Sequence, residues 1–208
     1  MKTLASLIHR LPLLLLAGGL AVLLTPRPGF AGTHTWTGGS TSGLWSTASN
    51  WENNDPPALG ESPLHLVFPT NATRRFATNN YGGLVVNSIT FHGAAYTLAG
   101  LGAGTNLTVD SSLGNSWWNI RAYSGTGHTL LTSLNLLLDG NLEFNIATNA
   151  AVTVRSRLSA ATANSGLTKD GPGAVILDPV EDNTFDGTTT LNDGDLTLRF
   201  RAPLSLSG

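Results

Sequence analysis

The 208-residue sequence predicts an all-β fold, and within that class a β-solenoid, on three observations. Its apolar segments alternate with period two rather than 3.6, in strands of four or five residues that lie close together. Asn recurs at strand edges, at Asn87, Asn106, Asn135, Asn141 and Asn145, where stacked side-chain amides can satisfy one another along a ladder. Many connections are Gly-rich corners rather than hairpin turns. A β-sandwich is the alternative that the same short strands allow.

Composition supports a folded, exported chain. Hydrophobic residues make up 41%, in short β-branched and Leu runs, which is enough to bury a core and argues against disorder. Charged residues are only 12% and the formal net charge is −2, so the clustered basic surface of a nucleic-acid-binding protein is missing. At the start, Lys2 and Arg10 precede an apolar run over residues 11–24, Pro26 and Pro28 end it, and Gly29, Phe30 and Ala31 form a small-residue cleavage site. Residues 1–31 therefore read as a secretory signal peptide. No later segment is apolar enough to cross a bilayer. Cysteine is absent, so an exported chain of this kind must rely on packing and backbone pairing, and it has no thiol nucleophile.

In order along the chain, Leu64 to Phe68 form the first clear strand, and Leu84 through Phe91 read as one longer strand closed by His92 and Gly93. Ala95 to Leu98 follow, then a Gly-rich turn from Gly100 to Gly104 and the alternating Asn106 to Asp110. Residues 119–123 form a strand. Residues 130–138 are ambiguous with a short helix, but alternation at Leu134, Leu136 and Leu138 before the Asp139-Gly140 turn makes them strand. Residues 141–146, 151–155, 174–177, 188–191 and 196–198 complete the series.

Two aromatic groups stand out. Trp36, Trp45 and Trp51 lie in a Gly/Ser/Asn-rich segment followed by Pro56, Pro57, Gly60 and Pro63. They read as an N-terminal cap, since the open end of a solenoid exposes strand edges and core that bulky rings can cover. The competing reading is glycan stacking by Trp45, Trp51 and Trp117. Of the adjacent Trp117 and Trp118, at most one faces the core.

Chemistry-bearing groups are scattered. His34, His65, His92 and His128 share no i, i+4 spacing and match no metal signature. Asp178, Glu181, Asp182 and Asp186 form the best acidic cluster, without an EF-hand or calcium-repeat pattern, and read as a solvated loop. Solenoids also host polysaccharide lyases and hydrolases, so an enzyme is a rival. The available bases are Arg74, Arg75, Arg121, Arg155, Arg157 and Lys169. Arg155 and Arg157 share a face with Glu143 expected one coil away, which also suits a plain ion pair. There is no nucleophile elbow or phosphate-cradling loop. The reading has no catalytic residue, metal or cofactor.

The C-terminal stretch resembles the autotransporter-associated β-strand repeat family. It runs Gly166-Leu167-Thr168-Lys169, then Gly171-Pro172-Gly173 and the strand Ala174-Val175-Ile176-Leu177, then Asn183-Thr184-Phe185, Gly187-Thr188-Thr189-Thr190 and Asn192-Asp193-Gly194 into Leu196-Thr197-Leu198. The segment Trp36, Trp45, Asn50-Trp51, Pro57, Gly60 and Phe68 also looks like the start of large bacterial exported proteins carrying such repeats. The resemblance covers residues 166–198 and roughly 34–91. It implies a right-handed parallel β-helix with a passenger-like, adhesin-like structural role, secreted or at the cell surface, and no catalytic residues. Gly171, Gly173, Gly187 and Gly194 are expected at corners needing positive φ. The chain then divides into residues 1–31 (signal peptide), 32–92 (Trp-rich cap and first strands), 93–165 (coils) and 166–208 (the repeat, apparently truncated). Partners are cell-envelope or extracellular polysaccharide, and the apolar last coil is a candidate for end-to-end association. The alternatives are a carbohydrate-binding module and a glycan-cleaving enzyme.

Overall fold

The computed structural model describes residues 31–93, 95–102, 105–112 and 118–199. The segment read as a signal peptide falls outside them, apart from Ala31. Strand β1 (Gly32–Thr35) begins the fold and leads through two short 3-10 turns, Ala48–Asn50 and Glu52–Asn54. Coils of three strands follow. The first is β2 (Leu64–Phe68), β3 (Phe76–Asn79) and β4 (Leu84–Val86), and the second β5 (Ser88–Phe91), β6 (Thr97–Gly100) and β7 (Thr105–Asp110). The third is β8 (Ile120–Ala122), β9 (Gly125–Leu130) and β10 (Leu134–Asp139), and the fourth β11 (Leu142–Ile146), β12 (Ala150–Val154) and β13 (Leu158–Ala160). Then come β14 (Leu167–Asp170) and β15 (Ala174–Leu177), and last β16 (Thr189–Leu191) and β17 (Asp195–Leu198).

Each strand pairs with its counterparts one coil below and above, and every such pairing is parallel. The first sheet is ordered β1-β2-β5-β8-β11-β14-β16, the second β17-β15-β12-β9-β6-β3, and the third β13-β10-β7-β4. The result is a β-solenoid of about five turns. A sandwich would need two facing antiparallel layers, so that alternative is set aside. Among the described residues no helix is long and apolar enough to cross a membrane.

Alternation decides the core. Leu66, Ile89, Ile120 and Phe144 stack in register along the first sheet. Ala77, Leu98, Leu130, Val154 and Leu177 do so along the second. Leu84, Leu107, Leu136 and Leu158 do so along the third. All of these are buried. Period-two apolar spacing therefore becomes a dry interior, because each inward row continues the row of the coil beneath it. The ambiguous stretch is indeed strand, with Leu134, Leu136 and Leu138 inward in β10.

Two expectations are corrected. The segment 84–91 is not one strand but β4 and β5 meeting at a corner on Asn87. The buried Asn87 amide accepts from Leu64 N at 2.8 Å and donates to Asp110 O at 3.1 Å, so it satisfies corner backbone that the ladders leave unpaired. Asn119 does the same one coil on, donating to Asn87 O and accepting from Glu143 N. The flat ladder expected of Asn106 and Asn135 does form, in register on the outer face at 3.4 Å. The second correction concerns glycine. Gly171 and Gly194 have positive φ, at 77° and 72°, whereas Gly173 and Gly187 do not. Those two are glycine for closeness: a Cβ on Gly173 would lie 2.3 Å from Ala147 O, and one on Gly187 would lie 2.6 Å from Asn164 O.

Candidate functional site

The candidate site grows from the outer face of the first sheet. Phe91 and Ala122 point inward, so their neighbours Thr90, His92, Arg121 and Tyr123 point out. Arg121 is in register with Thr90 below and Asn145 above. His92 N bonds Phe68 O and Tyr123 N bonds Phe91 O, so the ladder carries one residue past the strands and sets the two rings side by side. Their centroids are 4.7 Å apart with planes 15° from parallel. That separation is the roughly 4.8 Å interstrand spacing expressed through side chains.

The Arg121 guanidinium carbon lies 4.9 Å from the Tyr123 ring centroid and 4.7 Å from that of Trp118. It is held between two aromatic faces, an arrangement in which each contact contributes about 0.5–1 kcal/mol at an exposed position. Arg121 Nε is buried without a hydrogen-bond partner. Tyr123 keeps 46% of its surface in solvent. The half-buried Thr90 and Asn145 add a hydroxyl and an amide beside the cation. The ridge therefore combines flat apolar rings, a fixed positive charge and neutral hydrogen-bonding groups, the set that recognises a sugar ring.

The tryptophans named from the sequence are placed otherwise. Trp45 and Trp51 are 0% and 2% exposed, so neither ring offers a face to a ligand, and their stacking role is corrected to a packing one. Trp36 meets Trp51 edge to face at 5.1 Å, and Trp51 lies 6.4 Å from both Trp45 and Phe68. The indole of Trp51 donates to Trp45 O and that of Trp36 to Arg74 O. Trp117 lies outside the described residues. The ridge tryptophan is its neighbour Trp118, whose pairing with Arg121 and Tyr123 has no sequence signal beyond the i, i+3 and i+5 spacing.

Elsewhere several titratable groups are tied up in structure. Arg155 and Arg157 sit at the corner between β12 and β13, while Glu143 lies on the first sheet, so the expected grouping does not form. Asp178 instead forms ion pairs with Arg155 at 3.6 Å and Arg199 at 3.7 Å, and Glu181 with Arg157 at 3.7 Å. His34 is buried, with Nδ1 on Asp55 O at 2.7 Å and Nε2 on Glu61 at 3.1 Å, and clasps the loop beneath the Trp cluster. His128 stacks on Phe91 at 4.5 Å inside the core. Its Nδ1 accepts from Tyr96 N and its Nε2 donates to Ser124 O, and burial holds its pKa below the usual imidazole range.

Lys169 is the group that sequence reasoning placed least well. It occupies the inward row of Phe144 and is fully buried. Its ammonium donates to Asp170 O, Gly171 O and Asp193 O at 3.0, 2.6 and 3.0 Å. Three donors meet three carbonyls. Burial lowers its pKa, and Asp193, Asp170 and Asp195 oppose that. Alternation from Leu167 was the available signal.

Set against family models, curated proteins and solved structures, the chain matches none of them.

Proposed function

We propose that this chain is an exported, non-catalytic structural module, passenger-like in the sense of the repeat family it resembles. It works by presenting an extended β-helical surface outside the cytoplasm, secreted or at the cell surface. The observation that supports this reading is the continuity of the outer rows. On the second sheet Phe76, Thr97, Thr129, Thr153, Ile176 and Thr197 stand in register from the first coil to the last. Such rows make a stiff, regular face suited to contact rather than to turnover. The charged groups near β12 and β13 pair with one another, Arg155 and Arg199 with Asp178 and Arg157 with Glu181. The experiment is to follow the full chain and a form lacking residues 1–31 in a bacterial host by fractionation. Export only of the full chain supports the reading, and cytoplasmic retention of both overturns it.

The Trp118–Arg121–Tyr123 ridge favours a second reading, contact with an envelope or extracellular polysaccharide. Binding to a polysaccharide panel that falls about tenfold or more in Tyr123→Ala supports it, since a lost ring stacking contact is worth at least about 1.4 kcal/mol on that scale. Equal binding by the variant removes it. Steady release of reducing ends from any panel member would replace both readings with an enzyme.

A further inference from the structure

Building on the polysaccharide reading of the ridge, we propose that its ligand is acidic: a uronate-type chain whose carboxylate is gripped by Arg121. Arg121 is a cation without a counterion. All thirteen Asp and Glu side chains lie among the described residues, so no undescribed residue can bring it a carboxylate side chain. Arg155 and Arg199 pair with Asp178, and Arg157 with Glu181. Arg74 and Arg75 donate to the carbonyls of Ser40, Thr41 and Thr70. Arg121 forms no ion pair with any of the thirteen. Its buried Nε has no acceptor, and among the described residues no oxygen accepts from the rest of the guanidinium.

The rings decide which donors remain. Trp118 and Tyr123 lie 4.7 and 4.9 Å from the guanidinium carbon. Ring contacts engage the faces of that planar group and leave its in-plane N–H donors for an acceptor. A carboxylate suits the edge, since its two oxygens meet two parallel N–H groups. Two aromatic contacts also hold the head group in place, so less rotamer freedom is lost on binding than by a solvated arginine. Thr90 and Asn145, in register on either side, offer a hydroxyl and an amide to sugar hydroxyls. The exposed part of Tyr123 adds apolar surface for the sugar ring.

The surrounding charge gives the ligand a direction. On the coils below, the outer row of Arg121 continues through Thr90, Val67 and Thr35, and the adjacent row holds Ser88, His65 and Thr33. Neither row carries an acid. On the coils above, the same face holds Glu143 and Asp170. An acidic chain is therefore repelled from β11 and β14 and lies across β5 and β2, with Arg121 at its upper limit.

Polygalacturonate and its fully methyl-esterified form test this directly, because they share a backbone and differ in charge. The full chain should bind the acid at least about tenfold more tightly than the ester at low salt. That preference should shrink as salt is raised. Arg121→Gln should bring the two polymers to equal affinity. Asn145→Asp keeps Arg121 and both rings but sets a carboxylate in register beside the cation, an internal competitor. It should weaken binding of the acid by about tenfold or more and leave that of the ester unchanged. Circular dichroism and the thermal midpoint check that both variants are folded. Equal binding of acid and ester by the parent overturns the acidic ligand. If Tyr123→Ala still weakens both, the polysaccharide reading of the ridge stands without it. An acid preference that survives in both Arg121→Gln and Asn145→Asp puts the acidic ligand elsewhere and overturns the role of Arg121. Tighter binding of dextran sulfate than of polygalacturonate overturns the carboxylate in favour of a sulfate ester. Failure to bind polygalacturonate, alginate or hyaluronate overturns the acidic ligand, and failure on neutral polymers as well removes the polysaccharide reading with it.

Discussion

At one end of the solenoid Trp36, Trp45 and Trp51 close over Phe68, and residues of the same segment continue the ladders. Trp45 N bonds Thr78 O and Thr78 N bonds Gly43 O, so the edge of the second sheet is covered. At the other end the inward rows run on into Leu191, Leu196 and Leu198, with the first and last of these about half exposed. At either end of a solenoid the core has to be closed. The first end is closed with local chain and large rings, whereas the last described strands carry only apolar rows. The difference shows where folding stability is concentrated.

The largest effect should come from the closed end. Trp51→Ala removes a fully packed indole and its bond to Trp45 O, and should cost about 3–5 kcal/mol in denaturant unfolding. Lys169→Met should cost about 1–3 kcal/mol by leaving buried corner carbonyls without a donor. A variant as stable as the parent would mean that water replaces the ammonium. Gly173→Ala presses a Cβ into Ala147 O and should cost about 1–3 kcal/mol, distinguishing a close-approach glycine from a turn glycine. Leu198→Ser in the last described strand should change stability by no more than about 0.5 kcal/mol. A large loss there would break the contrast between the ends.

Acid titration sharpens the same contrast, because the ring stacked on Phe91 lies deep within the coils. His128 and His65 both have pKa values lowered by burial. Below the unfolded imidazole value of about 6.5 the unfolded chain binds more protons than the folded one, so stability falls with falling pH until the folded values are passed. The thermal midpoint should drop as the pH falls below about 6.5, and His128→Gln should flatten part of that slope. No change in slope would mean that His128 is protonated in place.

Much of the fold was legible because a solenoid turns local alternation directly into global packing. Leu134, Leu136 and Leu138 had only one consistent inward assignment, and so did Leu196 and Leu198. The corner at Asn87 was only partly legible: the inward set changes phase from Leu84 and Val86 to Ile89 and Phe91, a break that the apolar Val85 obscures, and the bonds that fix it involve Leu64 N and Asp110 O, which arrive from other coils. Lys169 was misplaced among surface bases because a charge usually marks an outward position, and the carbonyls that justify its burial come from the adjoining corner and from Asp193. The ridge was half legible: Trp118 was an open possibility, but Arg121, Tyr123 and His92 become one feature only when β5 and β8 lie side by side.

By itself the amino-acid order determined the β class, the short period-two strands, the glycine and asparagine corners and the inward aliphatic set, all properties of neighbours along the chain. Tertiary structure alone decided which strands became coil neighbours, that the three N-terminal tryptophans are interior, and that a lysine lies inside. Those outcomes depend on inter-coil hydrogen bonds between residues more than twenty positions apart, and such contacts leave no local periodicity to read.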